Sequence, residues 1–177
     1  MLPSQTKFTP TPNQKVLILE HVCYEINSFL DLIKTYHPIT KQNSPSDNYQ
    51  LEILLLHSRV LIEFFENKKR STYQKNGKKI ENKDVLPNDF GFPARSVEIP
   101  SGYYKRMNTA LAHLSYSRID DDPEWNLSNM YLPLLKRCEE FVNHILSSQS
   151  KMLDAEKTQK WELLNKKLKE TLGQEAR

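Results

Sequence analysis

Glycine is scarce, with four residues in a chain of 177, and that scarcity removes whole classes of site. A phosphate-cradling loop and a serine-nucleophile elbow each need glycines at fixed spacing, and neither pattern occurs. Cysteine is scarcer still. Cys23 and Cys138 both fall inside apolar helical patterns, which reads as two buried thiols in a reducing compartment. No apolar run approaches the ~20 residues that span a bilayer, and no basic-then-apolar leader is present. A cytoplasmic location without membrane contact is therefore expected. His21, His37, His57 and His144 stand at no metal-ligand spacing to one another or to either cysteine, so no metal or other cofactor is expected. The positive surplus is small, +3, well short of an excess that would by itself announce nucleic-acid binding. No internal repeat is visible.

What is present is helical periodicity. An apolar fraction of 38% beside 27% charged residues fits one globular domain with a well-solvated surface. The ten prolines punctuate the apolar-periodic segments instead of interrupting them, except for Pro133. Residues 1–12, with three prolines, read as a flexible arm. Asn13 is the candidate cap of a first helix reaching about Tyr36, with Val16, Leu19, Val22, Cys23, Ile26, Phe29, Leu30 and Ile33 at helical spacing. His37-Pro38 ends it, because proline disfavours helix in the residue before it. After the polar loop Lys41 to Pro45, Ser46 or Asp47 opens a second helix to about Asn67. Its apolar residues cover most of its circumference, so it is expected at the centre of the bundle.

Lys68 to Pro100 shows no clear periodicity. Its first half is strongly basic, and its second half mixes apolar anchors with turn formers, with a short helical turn at Pro87 to Phe90. Ser101 is the candidate cap of a third helix to about Arg118. A fourth begins at Asn126 or Ser128 and runs to about Ser148, with Pro133 in its first two turns, where a kink is tolerable. Residues 149–177 read as a C-terminal amphipathic helix, with Trp161, Leu164, Leu168 and Leu172 in one stripe. The fold class is thus all-α: an up-and-down bundle of about five helices, with 13–148 as its main body.

The chemistry-bearing stretch is the third helix. Arg106 and His113 are seven positions apart, two turns less roughly 20°, so both leave one face, starting about 10 Å apart along the axis. A shared site would be better built by two copies meeting near a two-fold axis. A histidine that titrates near neutrality takes the proton of a ribose 2′-OH or gives one to the leaving oxygen. A guanidinium holds the phosphate and offsets its developing charge. The residues thus fit metal-independent RNA cleavage ending in a 2′,3′-cyclic phosphate. They fit equally a plain packing helix, since Ala110, Ala112 and Leu114 around His113 suit close helix contact.

Arg106 to His113, late in a short helical bundle, resembles the arginine–six residues–histidine motif of the HEPN superfamily. The segment Asn108-Thr109-Ala110-Leu111-Ala112-His113-Leu114-Ser115-Tyr116-Ser117-Arg118 is similar to the motif helix of bacterial HEPN-like proteins, some linked to abortive infection. Leu56-His57-Ser58-Arg59-Val60-Leu61-Ile62-Glu63-Phe64-Phe65 resembles their earlier core helix. The similarity covers residues 50 to 146. It implies a helical bundle, homodimers, and ribonuclease toxins of defence or toxin–antitoxin systems, held in check by a cognate antitoxin or other partner protein. By residue it carries over Arg106 and His113 as catalytic. The family's polar residue after the arginine is here Met107, with Asn108 one position late, and Asn108 and Arg118 are candidate helpers.

Lys75, Lys78 and Lys79 in the basic loop are candidate contacts to RNA phosphates, and Tyr73 is the only aromatic among them. His57, Arg59 and Glu63 sit among leucines as a core hydrogen-bond network or as support behind the site. A reading of a different class is a non-catalytic interaction module, in which the Trp161–Leu172 stripe and the apolar second helix serve assembly with a partner protein.

Overall fold

The first helix starts at a cap that differs from the expected Asn13. In the computed structural model, which describes residues 7–35, 45–112 and 127–175, the Gln14 N–H donates to Thr11 Oγ1 at 3.2 Å and the Thr11 N–H to Gln14 Oε1 at 2.9 Å. This reciprocal capping box satisfies two orphan donors, and Pro12 fills the first helical position, where its missing N–H is no loss. Helix α1 therefore spans Pro12–Thr35 and buries Leu19, Val22, Ile26, Phe29 and Leu30. The His37-Pro38 stop lies outside the described residues. Helix α2, Pro45–Glu66, packs on α1 and also touches the two helices described next, which makes it central, as its composition implies. Leu54, Leu55, Leu61, Ile62, Phe64 and Phe65 are buried, yet Tyr49, Ile53, Leu56 and Val60 remain exposed along one side.

Between α2 and the third helix, where the sequence shows no periodicity, the chain forms a hairpin. Strands β1, Thr72–Lys75, and β2, Lys78–Glu81, pair antiparallel. Asn76 and Gly77 both take positive φ, 51° and 71°, the geometry of the tight turn that Asn-Gly favours between twisted strands. The hairpin root is knotted: Asn82 donates from its backbone to the Ser71 carbonyl at 2.8 Å and from its side chain to Ser71 Oγ at 2.7 Å, while Ser71 Oγ donates to Asp84 at 2.6 Å.

The chain then turns inward. Pro87–Phe90 forms the expected short helical turn, fixed by Asp89, which accepts the Leu86 N–H at 3.0 Å and both contacts of the Arg70 guanidinium at 2.7 Å. Phe90 and Phe92 enter the core against Phe141, with ring centroids 5.9 and 5.2 Å away. Arg95 donates its backbone N–H to the Phe65 carbonyl at 3.0 Å and Val97 to Glu66 Oε1 at 2.9 Å. These bonds tie the segment to the C-terminal end of α2, where helix carbonyls lack partners.

Helix α3 spans Tyr103–Ala112. It starts two residues after the expected Ser101 cap because Gly102 sits at φ 89°, which no helix admits. Its expected continuation to Arg118 lies outside the described residues. Helix α4, Ser128–Ser148, carries Pro133 in its second turn and buries Leu134, Leu135, Cys138, Phe141, Val142 and Ile145. Helix α5, Ala155–Glu175, is capped by Asp154, which accepts the Lys157 N–H at 2.8 Å. It packs on α4 and α1, and Trp161, Leu164 and Leu168 fall to 2%, 2% and 0% exposure in the common core. The C-terminal stripe is thus turned onto the chain's own bundle. Phe141 is the hub, in ring contact with Phe64, Phe65, Phe90, Phe92 and Trp161. Edge-to-face pairs add about 0.5–1.5 kcal/mol each beyond burial, so one side chain couples α2, α4, α5 and the inward segment. The fold is an all-α bundle, with five α-helices and one small sheet among the described residues. Among the described residues no helix is long and apolar enough to cross a membrane.

Candidate functional site

Helix α3 meets the bundle through Tyr103, Tyr104 and Met107 among its described side chains. Met107 is fully buried. The Tyr104 hydroxyl donates to Glu63 Oε1 at 2.6 Å, and the same oxygen accepts Arg59 Nε at 3.0 Å. Partial burial, then the bond to the Glu63 carboxylate, pushes the Tyr104 phenol above its ordinary range, while the hydrogen bond from Asn108 acts in the opposite sense. Arg59, Glu63, Tyr104 and Asn108 therefore form one chain of contacts from α2 to α3. The spacing of Arg59 and Glu63, four apart, made that pair legible; its extension to Tyr104 needed the packing of two helices.

The backbone of α3 continues through Ala112, so Arg106 lies on regular helix. His113 and Arg118 lie outside the described residues. Asn108 is half-buried on the Tyr104 side, and its Oδ1 is buried without a hydrogen-bond partner among the described residues, an uncommon condition for an amide oxygen. Positions 106 and 108 leave a helix about 200° apart. Asn108 contacts the Tyr104 hydroxyl, which in turn is bonded to Glu63. Met107, between positions 106 and 108, serves as the apolar anchor.

His57 belongs to a separate arrangement. Its Nδ1 meets Glu25 Oε2 of α1 at 2.6 Å, with the Tyr24 ring edge-on at 6.2 Å, apart from the Arg59–Glu63 pair. His144 accepts a structural duty as well, with Nε2 2.8 Å from the Phe90 carbonyl. Cys138 is fully buried and burial pushes its thiol strongly upward, while Cys23 is half-buried with a smaller rise from the same cause; both are free thiols.

A cleft of about 580 Å³ lies between α1, α2 and the hairpin root, with Glu63, Lys69, Arg70 and Ser71 among its lining residues. Glu63 thus borders both the α3 contact and the start of the basic segment. Within that segment, Lys75, Lys78 and Lys79 are all exposed, but they are not equivalent. The register pairs Lys75 with Lys78 and Tyr73 with Ile80, whereas Lys79 pairs with Gln74. Since side chains alternate across a strand, Lys75, Lys78, Tyr73 and Ile80 share one face and Lys79 points from the other. Arg70 is taken up by Asp89, with side-chain exposures of 10% and 12%, and is a structural cation. The partnership of Phe8 with the hairpin was not legible beforehand: the Phe8 N–H donates to Glu81 at 3.0 Å and the Arg70 guanidinium lies 5.2 Å from its ring, so residues 7–11 are attached to the bundle and not a loose arm. Asn76-Gly77 was the one sequence signal for the hairpin.

Comparison with family models, with curated proteins and with solved structures finds no match to this chain.

Proposed function

We propose that the chain is a metal-independent endoribonuclease of HEPN-like type, acting as a homodimer. The observation that carries this reading is the spacing of Arg106 and His113 along a helix whose described part runs unbroken to the residue before His113. In the proposed step His113 takes the proton of a ribose 2′-OH and the 2′-oxygen attacks phosphorus. The bond to the 5′-oxygen breaks, that oxygen receives a proton from an imidazolium, and a 2′,3′-cyclic phosphate remains. Arg106 holds the phosphate and offsets the charge on its non-bridging oxygens. Arg118 is a further cation for the same phosphate run. Asn108 is a positioning residue, holding α3 through Tyr104. A role in defence, as an abortive-infection or toxin–antitoxin component with a cognate antitoxin, follows from the same resemblance and is part of the proposal.

The test is induced expression of wild type beside His113→Ala and Arg106→Ala, with total RNA examined for new ends. Growth arrest and cyclic phosphate ends with wild type alone support the reading. Equal growth and intact RNA in all three, with all three folded and abundant, overturn it.

The exposed stripe Tyr49, Ile53, Leu56 and Val60 on α2 favours a second reading, a non-catalytic interaction module. Its other proposed surface, the Trp161–Leu172 stripe, is occupied by the chain's own core, so that reading now rests on α2. It predicts that Leu56→Glu abolishes an association in solution that His113→Ala leaves intact.

A further inference from the structure

The positive surplus of this chain is concentrated in one place. Residues 68–83 hold seven Lys or Arg against one Glu, in a chain whose net charge is +3, so the remainder is net acidic. One of the seven, Arg70, is neutralised by Asp89. The fold places Lys75 directly opposite Lys78 next to the tight turn, and like charges at opposed positions of a hairpin are destabilising. That arrangement is relieved by a bound anion.

The same face of the hairpin is also concave. Next to the Lys75–Lys78 pair, a groove of about 320 Å³ opens between the hairpin and the N-terminal segment. Phe8, Tyr73 and Ile80 line it together with Lys7, Lys83, Asn82 and Glu81, the Glu81 carboxylate being taken up by the Phe8 N–H. The Phe8 wall is preorganised: its backbone is bonded to Glu81, and Arg70 and Lys83 lie 5.2 and 5.9 Å from its ring. Tyr73 keeps 45% of its surface exposed.

Aromatic surface between cations is the composition that binds single-stranded nucleic acid, with bases stacked on rings and phosphates on lysines. A lipid surface fits less well, because the tip of the hairpin is Asn76-Gly77 and offers nothing apolar to insert. We propose that the Tyr73 face of the hairpin is a single-stranded RNA docking site, a base entering the Phe8–Tyr73–Ile80 groove and the adjoining phosphates meeting Lys75 and Lys78. This rests on the ribonuclease reading only for the choice of RNA, since docking does not require cleavage.

The experiment uses the full chain carrying His113→Ala, so that the probe survives, and a fluorescent uridine dodecamer followed by anisotropy at several salt concentrations. Lys75→Gln with Lys78→Gln should weaken binding about tenfold at low salt and flatten the slope of log K on log[salt] by about 1.4, the loss of two single-strand phosphate contacts. Tyr73→Ala should weaken binding about fivefold or more, and Tyr73→Phe should restore it. Lys79→Gln, on the opposite face, should stay within about twofold of the parent. Equal losses for Lys79→Gln and the double variant, no effect of Tyr73→Ala, or binding of phosphatidylserine vesicles in place of the oligonucleotide each overturn the docking site. If binding behaves as expected while wild type cleaves no RNA, the docking site stands and the ribonuclease reading fails.

Discussion

Residues 68–83 and residues 84–99 leave the end of α2 one after the other, share the same want of apolar periodicity, and finish in opposite environments. The first stretch folds on itself as a charged hairpin anchored by Arg70 on Asp89 and by the Phe8 N–H on Glu81. The second lies inward, with Phe90 and Phe92 at 1% and 5% exposure, and Arg137 stacked 4.1 Å over Phe92 while donating to Glu140 and to the Pro93 carbonyl. Burial lowers the Arg137 guanidinium from its usual range and Glu140 opposes that shift. The difference teaches that a segment without secondary-structure periodicity is assigned to core or surface by a few aromatic residues. Two phenylalanines draw one half into the bundle; the other half has Tyr73 alone and lysines around it.

That contrast is sharpest where it is most costly to break. Phe92→Ala should lower stability by about 3–5 kcal/mol, read from the urea midpoint, because it removes a ring from the Phe141 hub and leaves Arg137 without its platform. A midpoint unchanged within error would erase the distinction between the two halves. Asp89→Ala is expected to cost about 2–4 kcal/mol, since it strands the Arg70 guanidinium and the Leu86 N–H together. Denaturant titration of Asp89→Ala beside Arg70→Met separates the two contributions, the paired removal being the milder. Gly77→Val forces a β-branched residue to positive φ, at a local cost of about 1–3 kcal/mol. Hydrogen exchange should then quicken over residues 72–81 while the global melting temperature barely moves. Lys75→Gln is the smallest effect: stability should stay within about 0.5 kcal/mol of wild type, on the stabilising side, because the Lys75–Lys78 opposition is gone.

The helices were legible because their stops are chemical. The start of α1, the end of α2 and both ends of α4 fall within about two residues of the expected positions, and the corrections at Thr11 and Gly102 come from side-chain reciprocity and a positive φ. The hairpin was missed although Asn76-Gly77 announces such a turn, because four-residue strands bearing one apolar pair, Tyr73 and Ile80, leave no alternation to count. For the candidate site, helical spacing relates Arg106, Asn108 and His113 along the sequence; it does not show that Phe8, far off in the chain, closes a groove on Tyr73. That groove follows from a tertiary contact between segments more than sixty residues apart.

The knot at the hairpin root makes the tip a seam. Ser71, Asn82 and Asp84 hold the two strands together from below, so a chain opened between Asn76 and Gly77 divides into an N-terminal piece bearing α1 and α2 and a C-terminal piece bearing α3, α4 and α5. Neither piece contains the whole of the Phe141 hub. The two halves would have to find each other to complete it, which makes this bundle a natural split reporter, silent as separate fragments and restored by their reunion.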